Sequence, residues 1–141
     1  MVYSLRIYSI QKTEMIDNLY FISDYIKTDT GFECMARLND SHPVYKGHFP
    51  GMPVMPGVCI MEMVKACVSK FLNIHLSYSM IQECKFLIPV LPDKDRVLKI
   101  HVDLSPQNQD NFVSYKINCQ IFSEDLKVKL KAMLSSKNDT L

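Results

Sequence analysis

Between His42 and Val64 the sequence reads HPVYKGHFPGMPVMPGVCIMEMV. Two residues in it could do acid–base chemistry together: His48, and Glu62 fourteen positions later. Imidazole changes charge near neutral pH, so it suits a base. A carboxyl flanked by apolar side chains resists ionisation, so it suits an acid. A stiff loop carrying the one, running into a buried helix carrying the other, could hold both groups in place.

The residues around them predict that arrangement. Three of the four glycines (Gly47, Gly51, Gly57) and four of the seven prolines (Pro43, Pro50, Pro53, Pro56) fall in this stretch. Proline fixes its own φ and pushes the preceding residue toward extended geometry. Residues 48–56 therefore read as a rigid, non-repetitive loop. Gly57–Leu72 follows as the one long helix, with Pro56 suited to its first turn. Val58, Cys59, Ile60, Met61, Met63 and Val64 make its first two turns apolar nearly all round, so the helix should be buried on every side. It turns amphipathic through Lys65, Ser69 and Lys70. Glu62, Lys65 and Ser69 share a stripe, which leaves open a plain alternative: Glu62 simply paired with Lys65 on a wet face.

The rest of the chain reads as strands. Asn18–Lys27 is rich in aromatic and β-branched residues, Thr28-Asp29-Thr30-Gly31 is turn chemistry, and Phe32–Leu38 places Phe32, Cys34, Ala36 and Leu38 on one face. The opening pair is expected to be a hairpin. After the helix come Ser79–Ile88, Val97–Leu104, Phe112–Ile121 and Leu126–Met133. The last three alternate cleanly, as in an antiparallel sheet with one wet face. Lys127, Lys129 and Lys131 form the polar face of the last strand and would discourage edge pairing. Met1–Ile10 could be a short amphipathic helix, without a cap to settle it, and Ser135–Leu141 reads as a frayed tail. A sheet curling round one apolar helix is the economical way to bury that helix.

Bulk properties agree with a single domain over residues 1–141. The chain has 48% hydrophobic and 22% charged residues, as globular proteins do. A net charge of +1 argues against electrostatic capture of nucleic acid. The five cysteines form no CxxC pair and read as reduced, which points to a reducing compartment. MVYSLRIYSI lacks a sustained apolar segment and a cleavage site, so no leader peptide is expected. No run reaches the roughly 18 apolar residues of a membrane span. The expectation is a cytoplasmic protein. His42, His75 and His101 show no ligand spacing, so neither a metal nor a cofactor is expected.

The segment GHFPGMPVMPGVCIMEMV resembles the signature of the β-hydroxyacyl-acyl-carrier-protein dehydratases, which adopt the α+β hotdog fold. In that family His-Phe-Pro-Gly runs through Pro-x-Met-Pro-Gly into the central helix, and an acid follows the histidine by fourteen positions, as Glu62 follows His48. KFLIPVLPDKDRVLKI (Lys85–Ile100) is similar to the family's Arg-Phe-x-x-Pro-Val-x-Pro-Gly-Asp stretch. There are departures: Lys65 stands where many members carry Gln, Asp93 replaces Gly after Pro92, and the usual N-terminal His-Arg-x-Pro-Phe-Leu-Leu segment is absent.

The resemblance implies dehydration of a 3-hydroxyacyl thioester, carried on acyl carrier protein, to the trans-2-enoyl thioester. The pathway would be fatty-acid synthesis or, given the departures, a specialised lipid, polyketide or pigment route. His48 would take the α-proton and un-ionised Glu62 would protonate the departing hydroxyl. The amide hydrogens of Gly57 and Val58, at the helix start, would receive the charge developing on the thioester oxygen. The family's sites are shared across a two-fold homodimer, so His48 of one protomer would face Glu62 of its partner; higher oligomers stay open. Phe49, Met52, Met55, Met61 and Phe86 could line an acyl tunnel, although core filling explains the methionines, Met63 included, equally well. Lys85, Lys94 and Arg96 could meet the phosphopantetheine phosphate or the carrier, or be solvated surface. Tyr45 reads as packing. Two other functions fit the same fold: a hotdog acyl thioesterase, and a non-catalytic subunit that binds acyl carrier protein.

Overall fold

The computed structural model describes residues 18–47, 51–109 and 112–137. The expectations for Met1–Ile10 and for the last residues of the tail, and the placement of His48 and Phe49, lie outside them. Six strands and one long helix follow in the order β1 (Tyr20–Lys27), β2 (Gly31–Leu38), a 3-10 turn (Pro43–Gly47), α1 (Gly57–Leu72), β3 (Ser77–Phe86), β4 (Val97–Gln109), β5 (Phe112–Ser123) and β6 (Asp125–Lys137). The strands form a single antiparallel sheet in the order β1-β2-β4-β5-β6-β3.

One face of that sheet is the core. Phe32, Cys34 and Ala36 of β2, Leu98, Ile100 and Val102 of β4, Ile117, Cys119 and Ile121 of β5, and Val128, Leu130 and Ala132 of β6 are essentially inaccessible. This is the alternation read from the sequence, now facing α1, whose Cys59, Ile60, Met63, Val64, Cys67 and Val68 are buried against it. Phe71 of α1 stacks on Phe32, with ring centroids 4.4 Å apart. Both edge strands are also tied to the helix backbone. The Tyr25 hydroxyl of β1 donates to Cys67 O at 2.9 Å, and the Tyr78 hydroxyl of β3 donates to Met61 O at 2.7 Å. The sheet thus curls until its two edges flank one helix.

The helix stops where the chemistry allows. Asn73 adopts φ 55°, ψ 43°, and its N–H and that of Ile74 donate to Lys70 O and Ser69 O, closing the last turn with a left-handed residue that asparagine tolerates.

Four expectations are corrected. The tail does not fray from Ser135, because β6 carries Ser135 and Ser136 opposite Ser114 and Val113 of β5. The helix is not buried on every side, since Val58, Met61, Glu62, Lys65 and Ser69 form a half-buried stripe along it. The last strand is not an edge: β6 lies between β5 and β3, with Glu83 opposite Lys131 and Lys85 opposite Lys129. Alternation fixes which face a strand buries but not who its neighbours are, and the edge on that side of the sheet is β3. That strand ends at Phe86 rather than Ile88, because the amides of Leu87 and Ile88 both donate to Lys127 O, at 2.8 and 3.3 Å. The strands β4 and β5 also run on beyond the core as a long hairpin, β4 passing through Pro106.

The β1–β2 turn closes tightly. Thr28 N–H donates to Gly31 O at 3.0 Å, and Gly31 N–H donates to Thr28 Oγ1 at 2.9 Å. A Cβ on Gly31 would sit 2.0 Å from Val102 O, against backbone that cannot swing aside. Gly31→Ala should therefore cost about 3 kcal/mol, the upper range for overpacking, read as a lower denaturant midpoint with unchanged slope.

Candidate active site

The start of α1 is held from three directions. Pro56 is the N-cap in extended geometry, and its carbonyl accepts from the amides of Cys59 and Ile60 at 3.0 and 3.1 Å. The amides of Gly57 and Val58 lie ahead of these and have no carbonyl inside the helix to receive them. Just upstream, Met55 N–H donates to Val90 O at 2.9 Å. From β3 the Phe86 ring lies over Gly57, so close that a Cβ there would be 2.9 Å from Phe86 Cζ. The absence of a side chain at Gly57 is what lets an aromatic ring cover the helix entrance.

Val90 belongs to a strap, residues 87–96, that joins β3 to β4. The strap is fixed to β6 by the two amide bonds to Lys127 O and by an ion pair. Lys127 Nζ lies 3.5 Å from Asp95 Oδ1, with the two side chains only 11% and 9% exposed. The other oxygen of Asp95 accepts from Leu91 N–H at 2.8 Å. At its far end Arg96 O accepts from Leu38 N–H at 2.8 Å. Sequence reasoning placed Lys127 on a solvated face and passed over Asp95. An acid four residues after Leu91 in a proline-rich turn was the available signal, since short acids cap such turns.

Glu62 sits one and a half turns into the helix, half-buried. Lys65 Nζ is 3.1 Å from Glu62 Oε1, with the two side chains 19% and 17% exposed. The pairing that the stripe left open is therefore present, but in a sheltered place and not on a wet face. Its neighbours are phenols from the two edge strands. Burial, and with it the nearby charge of Glu62, pushes the Tyr20 hydroxyl up. Burial also pushes Tyr78 up, again with a contribution from Glu62. Both phenols stay protonated. Two thiols near the helix are no nucleophiles either: a hydrogen bond to Cys34 and burial keep Cys67 protonated, and burial does so for Cys119. None of the five cysteines is in a disulfide.

The other candidates divide. Met55 is core, 2% exposed, as is Met63, whereas Met52 is 65% exposed; Met61 is half-buried beside Glu62. Lys85 is exposed and lies 3.9 Å from Glu83. Lys94 and Arg96 are exposed on the strap, where Arg96 Nε donates to Asp93 O. Tyr45 is buried in the core, and among the described residues its hydroxyl has no hydrogen-bond partner. His42 is buried, its Nδ1 accepting from Val44 N–H at 3.0 Å, and His75 is exposed. His101 lies on β4, between Glu33 Oε2 at 3.1 Å and Asp103 Oδ1 at 3.2 Å. Among the described residues no group of three or more His, Cys, Asp or Glu side chains is placed to hold a metal ion, and no helix is long and apolar enough to cross a membrane.

Comparison with known proteins decides the family. Residues 25–126 match the model of the ApeI-like family, described as ApeI dehydratase. The chain belongs to the ApeI-like dehydratases. Among curated relatives, a 3-hydroxyacyl-[acyl-carrier-protein] dehydratase FabZ of Lactobacillus helveticus is 32% identical over 134 residues, 86% of each chain. A FabZ of Ehrlichia chaffeensis is 36% identical over 77 residues, where the match spans 51% of this chain and 54% of that protein. Among solved structures, the dehydratase heterocomplex ApeI:P from Xenorhabdus doucetiae superposes with a TM-score of 0.54 at 18% identity, covering 83% of this chain and 98% of that one. The putative thioesterase yhdA of Lactococcus lactis gives 0.53 at 14% identity, covering 86% and 96%. This ApeI-like chain has the hotdog fold, which dehydratases and thioesterases share, so the fold alone does not choose between those activities.

Proposed function

We propose that this ApeI-like dehydratase removes water from a 3-hydroxyacyl thioester carried on acyl carrier protein, giving the trans-2-enoyl thioester, in the cytoplasm. The observation that carries the reading is a sheltered carboxylate on the face of a helix whose first amides are unbonded within it. In this scheme His48 takes the α-proton, the Gly57 and Val58 amides receive the charge that gathers on the thioester oxygen, and the hydroxyl departs on the Glu62 side. The half-buried stripe of Val58, Met61, Glu62, Lys65 and Ser69 faces away from the chain's own core. A second copy covering it would bring its own His48 to the carboxylate, and the working unit is a homodimer with two shared sites. The acyl chain runs past Phe49, Met52, Met61 and Phe86, while Lys85, Lys94 and Arg96 serve the carrier or its phosphopantetheine.

The test is a panel of carrier-linked 3-hydroxyacyl thioesters of graded chain length, followed by mass. Loss of water with the thioester intact is expected. Release of free thiol with the hydroxyl retained would replace the reading by a hotdog thioesterase. Binding of the carrier without turnover would replace it by a non-catalytic subunit.

A further inference from the structure

We infer that the proton given to the departing hydroxyl comes from the Lys65 ammonium, so that Glu62 and Lys65 act as one donor unit in place of a lone neutral acid. The inference rests on the dehydratase reading above and concerns the same site.

The contact that carries it is the 3.1 Å approach of Lys65 Nζ to Glu62 Oε1, with both side chains about four-fifths shielded. Helical side chains lean toward the N-terminus, so a lysine one turn beyond Glu62 delivers its ammonium back toward the helix entrance. There the Gly57 and Val58 amides and the Phe86 ring define the mouth of the site. A carboxylate against an ammonium at this distance is an ion pair, and as an anion it accepts hydrogen bonds and has no proton to give. Among the described residues, the charged and titratable groups around it include Tyr20 from β1, Tyr78 from β3 and, in direct contact, Lys65 on the same helix. Burial, with a contribution from the Glu62 charge, holds both phenols protonated, and Tyr78 already spends its hydrogen on Met61 O. Among these groups the ammonium is the proton source in direct contact with the carboxylate. Glu62 then accepts from the substrate hydroxyl or from the ammonium and keeps the two in register.

The step balances without any co-reactant. The base takes the α-proton and becomes imidazolium; the electron pair of that C–H bond forms the Cα–Cβ double bond; the Cβ–O bond breaks. Lys65 passes one proton to the leaving oxygen, which departs as water, and is left as a neutral amine. Proton return from imidazolium to amine through water restores both groups.

Lys65→Arg and Lys65→Gln, assayed with the wild type on carrier-linked 3-hydroxyacyl thioesters, separate the possibilities. Arginine keeps the positive charge and the ion pair but does not give up its proton; glutamine removes both. Both variants are expected to lose about 10²-fold or more in kcat, the ordinary worth of a positioned acid, with KM changed little and thermal melting of Lys65→Arg near that of wild type. Lys65→Gln turning over as fast as wild type would overturn the inference and return the role to a neutral Glu62. Full activity in Lys65→Arg would also overturn it, since charge and not a proton would then suffice. A wild type that dehydrates nothing in the panel defeats the dehydratase reading itself, and the inference with it.

Discussion

His48→Ala is expected to lower kcat by about 10²–10⁴-fold on any thioester that the wild type dehydrates, with KM within a few-fold of wild type. That range is the usual contribution of a positioned general base, and an unchanged KM follows if the imidazole acts on the α-proton and not on substrate binding. Steady-state kinetics on carrier-linked substrate read both parameters. The larger effect lies in mixing. Glu62→Ala chains should be similarly inactive, yet a co-refolded mixture with His48→Ala chains should recover a substantial part of wild-type activity. In a mixed dimer one of the two shared sites keeps both of its groups. Absence of recovery in mixed dimers verified by mass would defeat the shared site.

The second large effect is on stability. Asp95→Asn should destabilise the protein by roughly 3–5 kcal/mol, the usual cost of removing one partner from a buried ion pair. Lys127 would be left charged among shielded surroundings, and one carboxylate oxygen that receives Leu91 N–H would become an amide. Lys127→Met should be better tolerated, because methionine keeps an apolar stem in the place of a side chain that is only 11% exposed. The double variant Asp95→Asn with Lys127→Met should be more stable than Asp95→Asn alone, since no unpaired ammonium is left behind. Urea denaturation of the four proteins gives the coupling directly. Additive losses would show that the pair holds nothing together.

The fold was legible where the sequence imposes a period or a stop. Gly57–Leu72 emerged with its bounds because Pro56 fixes the entry and a continuous apolar run follows; Asn73 then supplies the left-handed exit. The faces of β2, β4, β5 and β6 were readable from strict alternation. β3 was harder, because Ser77–Phe86 is exposed along most of its length and an edge strand carries no clear two-residue pattern. Its pairing with β6 depends on contacts distant in the sequence, which local reasoning does not reach. The same limit hid Asp95–Lys127, two residues 32 positions apart. At the site, the position of Glu62 followed from helical spacing. Whether Lys65 would meet it did not, because an i,i+3 pair and two separate side chains have the same sequence.

The bond from Met55 N–H to Val90 O has a dynamic consequence. The strap cannot lift from β6 without tugging the segment that leads into α1, so the entrance to the helix and the distant turn around Leu91 should open as one cooperative unit. Their amides should therefore exchange with deuterium at a common rate, slower than the exposed edge of β3. A substitution that loosens the strap would speed both together, and a change far from the carboxylate would be felt as breathing of the pocket.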